Sequence, residues 1–344
     1  MVAPMGIRLS PLGAAVFCLL AVGVIYHLYA GVISNRYAAF RGRTSVDLRD
    51  LLAVSVEAAV LGGKEVKAVR DENHLEEKSK GKTREGASEP LTKGDLQSHV
   101  KMYNLLKSSF PGVTVNSEEH DNLEDEVTWS RQIPDDILAK VEGGKLVPAN
   151  RVTVWIDPLD ATQEYTENLL KYVTTMVCVA VDGKPMIGVI HQPFTGFTAW
   201  GFVGQGSNMQ RRSSYSTNPP NVIVSRSHPG QVESYVRSAF GNGTTVILAG
   251  GAGYKVLSLL DMPSSTSGDM DKGDAYIHIT FIKKWDICAG AALLNAIGGE
   301  MTTLRGGRID YSASPLNTGG LVASIGVDHR ALVDRLPEWD PERH

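Results

Sequence analysis

The sequence predicts an α/β (α+β) fold: a body of two consecutive α/β halves, preceded by one transmembrane helix. Short runs rich in β-branched residues alternate with longer runs in which apolar residues recur at helical spacing. Several of the short runs end directly in acidic or hydroxyl side chains. Residues 12–33 are strongly apolar, and His27 is the one side chain among them that can be charged near neutral pH. Alternating strands and helices are typical of layered folds in which helices cover sheets.

Composition and spacing divide the chain into five segments. The apolar stretch and the arginines after it set the first boundaries, and a polar loop rich in Ser and Asn sets the last. The predicted segments are a short N-terminal tail (1–11), a transmembrane signal anchor (12–33), a stem (34–45), a first α/β half (46–220) and a second α/β half (221–344).

The composition indicates a globular protein with a large core. The 344 residues are 42% hydrophobic and 21% charged, and the formal net charge of -4 gives no reason to expect a nucleic-acid polymer as partner. The three cysteines have neither the spacing of a metal site nor that of a disulfide framework. We therefore expect Cys178 and Cys288 to be buried as small hydrophobic side chains.

The apolar segment 12–33 is long enough for a membrane anchor. It can cross a hydrocarbon core of about 30 Å, whereas a cleaved signal peptide has a shorter apolar core. Two signals disagree about its orientation. One arginine precedes the segment and three follow it, which favours a cytosolic body by the positive-inside rule. Asn242-Gly243-Thr244 is an N-glycosylation sequon, which is used only in the secretory lumen.

The first half opens with two predicted helices separated by a basic run. The first helix covers 46–69, with Ser45 as its N-cap. The run 78–84 is rich in lysine and is either a solvated loop or a flap over an active site. The second helix begins near Asp95, which sits where an N-cap carboxylate would.

Strands dominate the rest of the first half. A strand at 113–116 runs into the acidic pair 118–119, whose carboxylates repel each other unless a cation or solvent separates them. The connection 120–150 is long for a loop, so we expect a short helix near 136–141. Asp182-Gly183 between two apolar runs predicts a β-hairpin.

The most informative loop follows the apolar strand 152–156. The strand runs straight into Asp157-Pro158, and proline ends regular pairing because it has no N–H. The carboxylates of Asp157 and Asp160 and the carbonyl of Leu159 therefore crowd together at the end of the strand. Such a nest of oxygens suits a hard cation such as Mg²⁺. An acidic turn is the simpler interpretation of a bare D-x-x-D pattern.

Strands that end in polar turns recur in the second half. A strand at 222–225 ends in hydroxyl side chains, and His228 stands just before the next helix. The turn 250–253 joins another strand to a helix that carries Lys255. Glycines in such a turn let backbone N–H groups approach an anion at the helix N-terminus. Asp286 opens a helix of small residues, where an N-cap would stand.

Two of these segments resemble signatures of a known superfamily. Asp157-Pro158-Leu159-Asp160-Ala161-Thr162 resembles the DP(I/L)DGT motif of the lithium-sensitive, Mg²⁺-dependent phosphomonoesterases, which include inositol monophosphatases and bisphosphate nucleotidases. Lys284-Trp285-Asp286 resembles the W-D motif of the same group. The extension Gln163-Glu164-Tyr165-Thr166 looks most like the bisphosphate nucleotidase branch. The resemblance covers roughly 46–336 and implies an α-β-α-β-α sandwich.

The resemblance also implies roles for individual residues. Two or three Mg²⁺ ions would be held by Glu118, Asp157, the Leu159 carbonyl, Asp160 and Asp286. The attacking water would be oriented and deprotonated by Asp95 and Thr162. The nucleotide would contact Ser225, His228, Gly251 and Lys255. The metal site would thus belong mainly to 46–220, and the nucleotide-binding elements to 221–344.

The reaction implied by the resemblance is hydrolysis of a small nucleotide. Such a phosphoric monoester hydrolase would remove the 3′-phosphate of 3′-phosphoadenosine 5′-phosphate, a by-product of sulfation, to give AMP. Membrane-anchored members of this branch work at the Golgi membrane with the catalytic domain in the lumen. That location favours the sequon over the flanking charges, and the resemblance allows a homodimer.

Two other functions remain as alternatives. An inositol phosphate phosphatase would use the same metal site and would not need an adenosine-shaped pocket. A membrane-anchored scaffold with a degenerate site is supported only by Ala161 and Ser117, which replace glycines of the family motifs. If the backbone at Ala161 requires a positive φ, alanine costs about 1 kcal/mol there.

Overall fold

The computed structural model describes residues 10–12, 18–24, 26, 45–82, 86, 88–121, 123, 125–227, 231–263, 270–312 and 314–339. The chain divides into two compact units, Met1–Ser45 and Val46–His344. Most of the predicted anchor 12–33, and all of the stem except Ser45, lie outside the described residues. Among the helices that are described, none is both long enough and apolar enough to cross a membrane.

Helices and strands alternate along the second unit. Its helices are α1 (Leu48–Asp71), α2 (Lys93–Ser109), α3 (Asp135–Lys140), α4 (Thr162–Thr166), α5 (Val232–Phe240), α6 (Ala252–Leu257), α7 (Lys284–Ala296) and α8 (His329–Val333). Two 3₁₀ turns cover Ala149–Arg151 and Leu170–Tyr172. The strands up to residue 220 are β1 (Ser45–Asp47), β2 (Lys78–Lys82), β3 (Ser88–Leu91), β4 (Thr114–Ser117), β5 (Leu146–Pro148), β6 (Val152–Asp160), β7 (Thr174–Val181), β8 (Lys184–Gln192), β9 (Phe197–Phe202), β10 (Gly206–Ser207) and β11 (Gln210–Arg211). The later strands are β12 (Val222–Ser225), β13 (Val246–Ala249), β14 (Leu260–Asp261), β15 (Ala275–His278), β16 (Ile282–Lys283), β17 (Glu300–Thr302), β18 (Leu316–Asn317) and β19 (Leu321–Ser324).

Helix α1 begins later than predicted. Ser45 is not its N-cap, because Ser45–Asp47 is extended and pairs with β5. Asp47 caps the helix instead, and its carboxylate accepts a hydrogen bond from the N–H of Arg49 at 2.8 Å. The short helix expected inside the connection 120–150 is confirmed as α3.

The larger sheet has the strand order β10-β9-β8-β7-β6-β4. Its strands are antiparallel except for β4 and β6, which run parallel and so bring their carboxyl ends to the same edge. The predicted hairpin is confirmed between β7 and β8: Asp182 and Gly183 have φ of 50° and 71°, as a tight two-residue turn requires.

The second sheet has the strand order β13-β12-β15-β19-β17. Strand β12 lies between β13 and β15 and runs parallel to both, while β19 is antiparallel to β15 and β17. The carboxyl end of β12 therefore carries the segment 225–227 to the edge of the sheet at which α6 begins, because α6 follows β13.

These elements stack in five layers, which confirms the α-β-α-β-α sandwich. Along β6 the side chains alternate: Val154 and Ile156 pack with α1 and α2, and Trp155 points to the opposite face. That face packs on α6 and α7, which also cover the inner face of the second sheet through Ile223 and Tyr276. Helices α5 and α8 cover the outer face of the second sheet.

Cys178 and Cys288 are joined by a disulfide, so the expectation of two free thiols was wrong. Both residues are buried, as expected. Cys178 lies on the face of β7 that packs against the middle layer of α6 and α7, and Cys288 lies on α7. The Cα atoms of the two cysteines are 5.6 Å apart. The two residues are separated by 110 positions in the sequence. Their spacing could not reveal the pairing, because it depends on how α7 packs against the sheet.

Candidate active site

Nine of the eleven predicted catalytic, metal-binding and nucleotide-binding residues line one cleft of about 450 Å³ at the carboxyl ends of β4 and β6, and Asp95 contacts the lining residue Thr162. The parallel pairing of these strands brings Glu118 beside the loop after Ile156, whose carbonyl accepts a hydrogen bond from the N–H of Glu118 at 3.1 Å. The ladder between β6 and β7 is interrupted between Asp157 and Asp160, where the chain bulges at Pro158. Asp286 arrives from the other side, in the first turn of α7.

Three carboxylates form the centre of the cleft. Glu118, Asp157 and Asp286 each place an oxygen within 4.8 Å of the oxygens of the other two. Burial and the charges of neighbouring carboxylates raise the pKa of all three groups above their ordinary values. The Oδ1 atom of Asp157 is buried and has no hydrogen-bond partner among the described residues. A cluster of hard oxygen donors with one unsatisfied atom fits a divalent cation such as Mg²⁺.

Asp160 stands apart from this group of three. Its carboxylate accepts hydrogen bonds from the Thr174 hydroxyl at 3.0 Å and from the N–H groups of Ala252 and Gly253 at 3.0 and 2.8 Å. The glycine-rich turn thus presents its N–H groups to an anion, as expected, but that anion is the protein's own carboxylate. The role of Asp160 as a metal ligand stays a prediction, and Asp160 does line the cleft.

Asp95 and Thr162 face each other, as their predicted roles require. The Thr162 hydroxyl lies 3.0 Å from Oδ1 of Asp95 and 3.1 Å from the Leu159 carbonyl, and it can donate to one of them at a time. Burial raises the pKa of Asp95 to about 7, and hydrogen bonds from Thr92 oppose this effect. Thr92 is the N-cap of α2, and Asp95 closes its capping box. Asp95 is therefore the third residue of α2 and not, as expected from the sequence, its N-cap, and it both closes the capping box and presents an oxygen to Thr162.

Ala161 adopts the left-handed conformation, with φ 71° and ψ 45°. The position thus does require the backbone that glycine adopts freely, and alanine costs roughly 1 kcal/mol there. The second departure from the family motifs, Ser117, is accommodated by a hydrogen bond of 2.8 Å between its hydroxyl and Nδ1 of His99. Both substitutions are compatible with a clustered, intact set of carboxylates.

The basic run 78–84 contributes to the cleft, which favours the flap interpretation over the solvated loop. Strands β2 and β3 form a hairpin, and Lys80 and Lys82 line the cleft. The Lys80 ammonium lies 2.8 Å from Glu118 and 2.5 Å from Glu119, so it neutralises part of the acidic charge. The alternation of lysines with small residues in this run is the strand signal that could have located the hairpin.

Three of the four predicted nucleotide-binding residues, Ser225, Gly251 and Lys255, line the same cleft. The fourth, His228, lies outside the described residues. Lys255 is 4% exposed, and its ammonium lies 3.4 Å from the Ala249 carbonyl and 5.4 Å from the ring centre of Tyr276. Burial lowers the pKa of Lys255, and the charge of Asp160 opposes that effect. A buried ammonium with such distant partners is suited to receive an anion from the cleft.

The cleft has further polar lining residues for which the sequence predicted no individual role. Two of them, His278 and Thr280, stand at the carboxyl end of β15, and the Thr280 hydroxyl lies 2.9 Å from Nε2 of His278. The rule that located Asp157, polar residues directly after a buried strand, would have found them. The others include Gln163, Glu164, Ser227 and Lys283.

The sequon asparagine, Asn242, is exposed in the loop between α5 and β13. Its carbonyl accepts a hydrogen bond of 3.0 Å from Arg237. The side chain of Thr244, by contrast, is buried. Glycosylation of Asn242 stays a prediction.

Mg²⁺ binding should release protons and weaken as the pH falls. The pKa values of Glu118, Asp157 and Asp286 are raised, so these groups hold protons to higher pH than ordinary carboxylates, and a cation must displace them. The metal-free fold should likewise lose stability as the pH rises through these raised pKa values, and Mg²⁺ should restore it. Calorimetric titration with Mg²⁺ in two buffers of different ionisation enthalpy measures the protons released. Equal heats in both buffers would contradict the prediction.

A model of the inositol monophosphatase family matches residues 47–338. The chain belongs to the inositol monophosphatase family. Relatives of this inositol monophosphatase family member carry two different names. A Danio rerio protein named inositol monophosphatase 3 is 67% identical over 99% of both chains. A Homo sapiens protein named Golgi-resident adenosine 3′,5′-bisphosphate 3′-phosphatase is 56% identical, also over 99% of both chains.

Solved structures share the fold of this inositol monophosphatase family member at low sequence identity. The extragenic suppressor protein suhB from Bartonella henselae has a TM-score of 0.62 at 16% identity, over 84% of this chain and 98% of that chain. The inositol monophosphatase from Anabaena has a TM-score of 0.58 at 18% identity, over 84% of this chain and 97% of that chain. At this level of identity the likeness concerns the fold alone.

Proposed function

We propose that this protein is a Mg²⁺-dependent phosphomonoesterase that removes the 3′-phosphate of 3′-phosphoadenosine 5′-phosphate, giving AMP and phosphate. One observation carries the proposal: a three-carboxylate cluster and a buried, weakly partnered lysine open into the same cleft. A bisphosphate has one phosphate for the cation-binding cluster and a second for the Lys255 ammonium. The name of the Homo sapiens relative supports the same substrate.

The residues that would hold two or three Mg²⁺ ions are Glu118, Asp157, Asp160, Asp286 and the Leu159 carbonyl. Bound Mg²⁺ would supply positive charge to the phosphoryl oxygens and make an attacking water more acidic. Thr162 would hold that water through its hydroxyl and pass a proton to Asp95, which lies 3.0 Å away. Because its pKa is raised to about 7, Asp95 is a stronger proton acceptor than an ordinary aspartate.

The second candidate function is hydrolysis of an inositol phosphate. The name of the Danio rerio relative favours it. An inositol monophosphate would occupy the carboxylate cluster but would bring no second phosphate to Lys255. The basic hairpin and the buried lysine are therefore better suited to a substrate with two phosphates. The scaffold alternative has lost support, because both substituted glycine positions are accommodated beside clustered carboxylates.

A phosphate-release assay with Mg²⁺ tests the proposed function. The panel compares 3′-phosphoadenosine 5′-phosphate, adenosine 3′-monophosphate and inositol monophosphates at equal concentration. We expect the highest kcat/KM for the bisphosphate. Preference for an inositol monophosphate would replace the proposal by the second candidate, and no release from any of them would support the scaffold. Millimolar Li⁺ should inhibit the enzyme, since the resemblance implies lithium sensitivity.

Lys255→Met should lower kcat/KM for the bisphosphate by roughly 10–150-fold. Methionine keeps the apolar stem and removes a charge-assisted contact of about 1.5–3 kcal/mol. Adenosine 3′-monophosphate, which lacks the second phosphate, should lose far less, and the comparison cancels general damage to the cluster. Lys184→Met removes an exposed lysine and serves as control. Equal losses on both substrates would show that Lys255 supports the cluster and not the second phosphate.

We further propose that the protein is anchored by 12–33 in the Golgi membrane with its body in the lumen. The relatives named Golgi-resident support the compartment. The buried disulfide supports an oxidising environment, since disulfides are rare in the cytosol.

Protease treatment of intact vesicles tests the orientation, because a luminal body is shielded. If the body is luminal and Asn242 carries a glycan, Asn242→Gln should remove that glycan and increase the mobility of the protein on a gel. Digestion of the body in unpermeabilised vesicles would place it in the cytosol.

A further inference from the structure

An ion-pair cluster joins the metal-binding loop of the first half to the nucleotide-binding segment of the second. A single nitrogen of Arg226, Nη1, lies 3.2 Å from Oε1 of Glu164 and 2.7 Å from Oε2 of Glu167. Glu164 lies on α4, directly after the loop 157–160, and Glu167 caps that helix at its C-terminus. Arg226 directly follows β12. The contact therefore bridges two parts of the chain that approach each other only in the folded protein.

Glu164 cannot easily turn away from this contact. Its side chain is 2% exposed, and a charged group so deeply buried is stabilised only when it is paired. The glycine turn lies directly against it: a Cβ atom on Gly250 would stand 2.5 Å from Cγ and Cδ of Glu164. The carboxylate is thus fixed by packing, and the guanidinium of Arg226 pairs with it there.

The position of Arg226 connects this pair to the substrate cleft. Its N–H donates to the Ala249 carbonyl at 3.1 Å, which extends the pairing of β12 with β13. Its two neighbours, Ser225 and Ser227, both line the cleft, as does Glu164. Fixing the guanidinium therefore fixes where these two serines stand relative to the loop that carries Asp157.

We propose that Arg226 is a positioning residue, which holds the Ser225–Ser227 segment against α4 through its ion pair with buried Glu164 and so sets the affinity for the nucleotide part of the substrate. This inference rests on the proposed function. It assigns Arg226 no contact with the substrate or with the reacting atoms. It follows that loss of the pair should weaken substrate binding and leave the cation cluster and the chemical step in place.

Arg226→Met is the principal test. We expect KM for 3′-phosphoadenosine 5′-phosphate to rise about tenfold, the scale of one charged contact, with kcat changed by less than about twofold. The dissociation constant for Mg²⁺ in the absence of substrate, measured by calorimetry, should stay within about twofold of the wild-type value. Arg226→Lys should restore part of the KM, because an ammonium can still pair with Glu164. Arg237→Met, which breaks an exposed pair with Glu233 on α5, is the matched control and should change none of these values.

Thermal unfolding separates this proposal from the proposed function. Arg226→Met leaves the buried Glu164 unpaired and should lower Tm, and adding Glu164→Gln should recover part of that loss, because the unpaired charge is removed. Additive losses in the double variant, or a fall in kcat and Mg²⁺ affinity together, would overturn the positioning role. If the substrate panel shows that the bisphosphate is not cleaved, the comparison is made with the dissociation constant of the bisphosphate in place of KM. The unfolding result does not depend on that choice.

Discussion

Replacing Asp157 with asparagine should lower kcat by about a hundredfold or more, the scale of losing one preorganised electrostatic contact at a reacting centre. Asp157 is the buried member of the three-carboxylate cluster, and its Oδ1 has no hydrogen-bond partner within the described structure. An amide there would remove a charge that a cation needs and could place N–H groups against it. The loss should be equal for every substrate that the enzyme cleaves, because the cluster serves the phosphate common to all of them.

The same variant should be more stable than the wild type when Mg²⁺ is absent. The pKa of Asp157 is raised by burial and by Glu118, so its ionised form costs stability that increases as the pH rises through that pKa. Asparagine removes this cost, and it should also abolish the rise in Tm on adding Mg²⁺. Differential scanning calorimetry with and without Mg²⁺ measures both effects. Asp135→Asn, at an exposed site on α3, is the control. An Asp157→Asn variant with a normal Mg²⁺-induced shift would contradict the assignment of the cluster.

Removing the disulfide should cost about 5 kcal/mol of stability, because the bond closes a loop of 110 residues. For a chain of this size such a loss lowers Tm by about 7–8 °C. The double variant Cys178→Ala with Cys288→Ala should show it in thermal unfolding, and the wild type reduced with dithiothreitol should behave in the same way. Activity at low temperature should fall less, since packing of α7 on the sheet still places Asp286.

Cys18→Ser is the control for this second prediction, because Cys18 is exposed and unpaired in the described structure. Labelling with a maleimide reports the bond directly: the denatured wild type should accept one label per chain before reduction and three after it. Three labels before reduction would show that the bond does not form in the purified protein. An unchanged Tm in the double alanine variant would show that it forms without stabilising the fold.

Much of the site could be predicted because its parts are local in sequence. A β-branched run that stops at Asp157-Pro158 marks the bulge near the end of β6, and Asp286 before a run of small residues marks a helix start. Each segment delivers a carboxylate by its own local geometry. The family motif then supplied the one long-range statement that patterns lack, namely that these segments share a site.

What the sequence did not reveal depends on contacts between distant segments. The disulfide, the approach of Lys80 to Glu118 and the pair of Arg226 with Glu164 each join residues far apart in the chain. Asp160 shows that a contact with a distant segment can also complicate a prediction made from a local motif. Its motif predicts a metal ligand, but its closest partners are N–H groups of α6, which arrive from the other half. The hydrophobic periodicity of either segment does not indicate that the two segments contact each other.

Helix α7, in the middle layer, limits how this chain could be divided into independent fragments. Helix α7 belongs to the second half by sequence, yet it packs on β6, β7, β8 and β9 of the first sheet and on β17 of the second. Its apolar residues therefore belong to a single core that the two sheets share. A fragment ending at residue 220 would expose the inner face of the larger sheet to water and would lack Asp286. The halves are thus stretches of the chain and not exchangeable modules, because both sheets depend on α7 to cover their inner faces.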